Sequence, residues 1–105
     1  MDRDKSIAKL IKLTPMGNLL WAILPPDTPN VESVAYEASY AGKRLRIHEQ
    51  PETQFRNRRI VLELVDENGR ELWEFPQSGA LDDLWSTVRY EAAGVRQLLD
   101  ELLAV

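Results

Sequence analysis

The sequence predicts an α+β fold: a short N-terminal helix, a four-stranded antiparallel sheet made of two hairpins, and a long C-terminal helix packed on that sheet. Three observations carry the prediction. Two pairs of strand-like segments each flank a turn that contains glycine. A stripe of apolar residues at helical spacing runs through the C-terminal segment. With 105 residues, of which 44% are hydrophobic and 29% charged, the chain has material for one core and little more, so residues 1–105 are expected to form a single α+β domain.

Ile7, Leu10, Ile11 and Thr14 fall at i, i+3, i+4 and i+7, which predicts a short amphipathic helix that Asp4 or Ser6 can cap. Pro15 and Gly17 should end it near Thr14. The run 18–24 is rich in large apolar residues and closed by Pro25 and Pro26, the pattern of a short buried strand. Residues 25–33 contain three prolines among polar residues and read as an extended connector.

Val34, Tyr36, Ala38 and Tyr40 then alternate with Ala35, Glu37 and Ser39. After a turn at 41–43, Leu45 and Ile47 alternate with Arg44, Arg46 and His48, completing the first hairpin. With Gly42 and Lys43 as turn residues, His48 lies opposite Glu37. In the second hairpin, 60–65 and 71–75 flank a turn where Asn68-Gly69 favours type I′. That register sets Leu64 against Trp73 and Leu62 against Phe75, an apolar face that needs a cover. The cover is the C-terminal stripe of Leu81, Trp85, Val88, Ala92, Val95, Leu99 and Leu102, widened by Leu84, Leu98 and Leu103. Ser78 is the expected N-cap, with Asp82 and Asp83 near the positive end of the helix dipole. The same four-three spacing also matches a seam of about three heptads able to pair two copies.

The composition removes several chemistries at once. Cysteine is absent and histidine occurs once, which excludes disulfide frameworks, thiolate zinc sites, thiol nucleophiles and clustered-histidine metal centres. Glycines stand singly at 17, 42, 69, 79 and 94, so no phosphate-cradling loop can be assembled. No carboxylate spacing defines a cation site, and neither a metal nor another cofactor is expected. No catalytic residue is expected either. His48 reads as half of a cross-strand pair with Glu37, and Ser39 on the same face does not make a triad. Glu63 and Glu74 face each other across the second hairpin, a geometry that could share acid-base duty. By strand parity, however, Arg44 and Arg46 share their face and can neutralise them, which makes ordinary ion pairs the simpler reading.

Charge distribution and apolar faces point to partners instead. The net charge of −4 divides unevenly: in the basic segment 43–59 six cations meet two anions, leaving the rest of the chain at −8. Within that segment Arg56, Arg58 and Arg59, beside Phe55, are candidate nucleic-acid contacts that combine phosphate-binding charge with a stacking ring. Trp21, Trp73 and Trp85 occupy positions where the pattern wants core, and loss of any one should cost ~3–5 kcal/mol. Val61, Val65 and Leu72 remain on the far face of the second hairpin around the glutamates, and are the candidate protein interface. The N-terminal segment has no uninterrupted apolar run for secretion, and the longest run, 19–24, is six residues against the ~20 of a membrane span. A cytoplasmic protein with no membrane contact is expected. The expected function is a non-enzymatic interaction or regulatory module that pairs with itself or with another protein, with nucleic-acid binding through 43–59 as the alternative.

Overall fold

The computed structural model describes residues 3–28, 34–51 and 58–104, apart from the side chains at 3, 4, 51 and 58. Its elements are α1 (Arg3–Leu13), β1 (Ala22–Ile23), β2 (Ala35–Tyr40), β3 (Lys43–Pro51), β4 (Arg58–Val65), β5 (Glu71–Glu74), α2 (Gly79–Ala92) and α3 (Val95–Leu103). The strands pair in chain order as an antiparallel meander, β1-β2-β3-β4-β5. The α+β class is the one predicted; the sheet has five strands rather than four, and the long C-terminal helix is two helices. Among the described residues no helix is long and apolar enough to cross a membrane.

One face of the sheet carries the core. Tyr36, Ile47 and Leu62 from the strands meet Ile7 and Leu10 of α1 and Leu81, Leu84, Trp85 and Val88 of α2. Helix α1 stops where Pro15 removes the next donor. Thr14 closes it, donating from Oγ1 to the Leu10 carbonyl at 2.8 Å while accepting from Trp21 Nε1 at 3.1 Å. The run 18–24 does not make the predicted buried strand. Leu19 is buried, but Leu20 and Ile23 face solvent, and only Ala22 and Ile23 pair with β2. Gly17, at φ +76°, turns the chain tightly behind α1 and drops Leu19 into the core, and Pro25 and Pro26 end the ladder because neither can donate. Both sheet edges are thereby blunt: β1 is two residues long, and β5 carries Glu71, Glu74 and a bulge.

The first hairpin turns one residue earlier than predicted. Ala41 and Gly42 both have positive φ, 52° and 74°, so Tyr40 pairs with Lys43, Glu37 with Arg46 and Ala35 with His48. This register places Glu37 beside the two arginines rather than opposite His48. It also forces alanine into the left-handed region, at a cost of ~1–2 kcal/mol. Ala41→Asn should therefore raise the denaturation midpoint, by about 1 kcal/mol in stability; an unchanged or lower midpoint would contradict the turn.

The second hairpin reaches the predicted pairs by another route. Positive φ occurs at Gly69 (+80°) but not at Asn68, so the turn is not type I′. Gly69 N donates to the Asp66 carbonyl, Asp66 N donates to the Arg70 carbonyl, and Asp66 Oδ1 accepts from the amides of Asn68 and Arg70. That is a three-residue loop closed by a left-handed glycine. A bulge between Leu64 and Val65, with Leu72 as the extra residue opposite, then restores Leu64 against Trp73 and Glu63 against Glu74.

The C-terminal stripe breaks at Ala93-Gly94. The Ala93 amide donates to the Arg89 carbonyl and the Gly94 amide to that of Glu91, ending α2 in a left-handed glycine at φ +70° before α3 begins. Ser78 holds the N-cap position of α2 in extended backbone, but its hydroxyl makes no capping bond. The tryptophans divide as well. Trp85 is buried and meets Tyr36 edge to face at 5.7 Å, whereas Trp73 is 43% exposed and meets Phe75 at 4.7 Å on the rim. The predicted core of three tryptophans is thus Trp85 with a partly buried Trp21.

Candidate functional site

Two surfaces are candidates: the sheet face opposite the helices, and the apolar side of α3. On the sheet, strand parity sends Arg44, Arg46, His48 and Gln50 of β3, Arg59, Val61, Glu63 and Val65 of β4, and Glu74 of β5 away from the core. The tip of the second hairpin bends back over this face. Arg46 Nη1 reaches the Gly69 carbonyl at 3.1 Å, and Arg44 Nη1 reaches the Glu67 carbonyl at 3.2 Å. The bulge supplies the extra twist that this bend needs. Arg46 is consequently only 2% exposed, and Glu63, Val61 and Val65 are buried as well, with no helix above them. Leu72 is 60% exposed, so of the three residues predicted as an interface it alone is presented to solvent.

Under the bent tip lies a hollow of about 450 Å³, lined by Arg46, His48, Arg59, Glu63, Arg70 and Glu74 among others. Its charges are already matched. Arg44 Nε stands 3.0 Å from Glu37 Oε1 and Arg46 Nη2 is 3.5 Å from Glu37 Oε2. His48 Nε2 is 3.2 Å from Glu63 Oε1, and Arg59 spans Glu74 Oε2 at 3.4 Å and Gln50 Oε1 at 2.8 Å. The repulsion between Glu63 and Glu74 is relieved by a separate partner for each, which is the arrangement of a structural network rather than an acid-base pair. His48 serves Glu63 and not Glu37. Among the described residues no group of three His, Asp or Glu side chains is placed to hold a metal ion.

Gly69 is the closure of this network. A Cβ there would stand 2.8 Å from Arg46 Nη2, and the backbone is already left-handed. Gly69→Ala should lose at least the ~1–2 kcal/mol of that conformation and displace the guanidinium besides; a neutral effect on the denaturation midpoint would contradict the packing of the tip on Arg46.

Of the predicted nucleic-acid contacts, Arg59 is engaged by Glu74 and Gln50. Arg56 and the side chain of Arg58 lie outside the described residues.

The second surface is one that the apolar pattern alone does not reveal. Helix α3 buries none of its residues, and Leu98, Leu99, Leu102 and Leu103 are between 44% and 84% exposed. Val95, Leu98, Leu99 and Leu102 stand at i, i+3, i+4 and i+7, a continuous apolar stripe without a cover. The helix is tethered at its start, where Arg96 bonds Glu91 at 2.9 Å and the Pro15 carbonyl at 3.5 Å. The residue that signals it is Gly94, a helix-ending residue in the middle of the stripe, which turns the last leucines away from the sheet. Compared with known protein families, with curated proteins and with solved structures, the chain matches none of them.

Proposed function

We propose that the protein is a non-enzymatic, cytoplasmic interaction module that docks on a protein through the leucine face of α3. The observation that supports this most is the exposure of four leucines on one nine-residue helix. Isolated helices of that length are marginal in water, and an amphipathic helix gains most of its stability by covering its apolar side. A contiguous apolar patch of this kind marks an interaction site. Leu72 and Trp73 on the second hairpin form a smaller exposed apolar pair and take a secondary place.

Leu99→Glu tests the reading, since Leu99 lies outside the core. Cross-linking in the source cell should join the native chain to a protein partner and should fail for the variant, with the denaturation midpoint unchanged within ~0.5 kcal/mol. Equal cross-linking of both proteins rejects α3 as the docking element. The alternative, nucleic-acid binding through Arg56, Arg58 and Arg59, predicts an affinity that falls steeply with salt and drops when the three are neutralised. Absence of binding at low salt rejects it.

A further inference from the structure

We infer that the partner of α3 is a second copy of this chain, docked antiparallel about a two-fold axis that passes between Leu98 and Leu99; this rests on the reading of α3 as the docking element. The order of residues along the helix supports it. Val95, Leu98, Leu99 and Leu102 are placed symmetrically about the midpoint between Leu98 and Leu99. An antiparallel copy therefore sets Val95 at the level of Leu102, and Leu98 at the level of Leu99, twice over. The polar positions share that symmetry with the sign reversed: Arg96 stands near one end, Asp100 and Glu101 near the other.

A closed two-fold dimer requires one patch that complements itself. Antiparallel docking brings the cation of each copy to the acidic end of the other. A parallel pair in register sets Arg96 against Arg96 and acid against acid, a juxtaposition that costs affinity. The bond from Arg96 to Glu91 does not block this, because the Arg96 side chain keeps 55% of its surface in solvent. A docking surface shaped for an unrelated partner has no need of the symmetry. Nine residues span only ~13.5 Å, and their face is smaller than the ~800 Å² per partner of a standard interface, so the dimer is weak and visibly concentration-dependent.

Since the chain contains no cysteine, introduced thiols report orientation without background. V95C and L102C proteins are mixed under mild oxidation at high concentration. In the antiparallel dimer position 95 lies ~10 Å along the axis from its own copy, beyond disulfide reach, but level with position 102. The V95C–L102C disulfide should therefore form at least ten-fold faster than either like-with-like disulfide. Faster like-with-like linkage would show a parallel pair and overturn the inference. So would the absence of any linkage together with monomeric sedimentation of the native chain at every concentration. That last outcome leaves docking on α3 itself to be decided by the Leu99→Glu comparison in cells, so the two failures are told apart.

Discussion

Replacing Arg46 by alanine is expected to destabilise the fold by about 3–5 kcal/mol, the range for removing one member of a buried ion pair. The guanidinium is nearly inaccessible and has two tasks. It neutralises Glu37, which keeps Arg44 as a second partner, and it donates to the Gly69 carbonyl, holding the hairpin tip down on the sheet. Loss of the side chain releases the tip and admits water to Val61 and Val65. Arg46→Met should recover part of the loss, because much of what is removed is the packing of the aliphatic stem. Equilibrium urea unfolding measures both; a change below 1 kcal/mol for Arg46→Ala would mean that the bent tip stands without its anchor.

Trp85→Ala is expected to cost about as much, ~3–5 kcal/mol, for a different reason. Trp85 sits where α2 meets the sheet, against Tyr36, with Arg89 5.8 Å from the ring centre. Its removal leaves a cavity walled by both layers, which cannot collapse without moving α2. Trp73→Ala, at the rim, should cost ~1 kcal/mol, because the ring already keeps much of its surface in water. The contrast between the two is the sharper measurement: equal losses would contradict the placement of the core on the α1–α2 side of the sheet.

Much of the fold is legible in the residues themselves. Period-two alternation locates β2 to β5, and the spacing of Leu81, Trp85 and Val88 locates α2, because burial of one face leaves a regular imprint on the chain. The pairing of Glu63 with Glu74 follows from the same alternation. The route to that pairing does not, since Asn68-Gly69 forms a three-residue loop whose offset a bulge at Leu72 cancels, and two such irregularities leave no net trace in the pattern. Turn placement at Ala41-Gly42 depends on which non-glycine residue accepts a strained backbone, a choice decided by the ion pairs of Glu37 with Arg44 and Arg46. Those are tertiary contacts.

The outer sheet face departs from expectation for a related reason. Val61 and Val65 alternate outward as an exposed interface would, and only the bend of the hairpin tip over them, fixed by Arg46 and Gly69, removes them from solvent. The α3 surface is hidden by continuity: Leu81 to Leu102 keep a single four-three spacing, and the break at Gly94 changes where the last turns point without disturbing the pattern. A periodic stripe reports that a face is apolar, and the break decides what it faces.

The most direct test of α3 as a docking surface for a second copy is amide hydrogen exchange of residues 95–103 measured across protein concentration. Rapid exchange is expected in dilute solution, where an uncovered nine-residue helix opens readily. As concentration rises, exchange in α3 should slow at least ten-fold while the amides of α2 keep one rate throughout. Exchange in α3 that is independent of concentration would contradict docking of one copy on another.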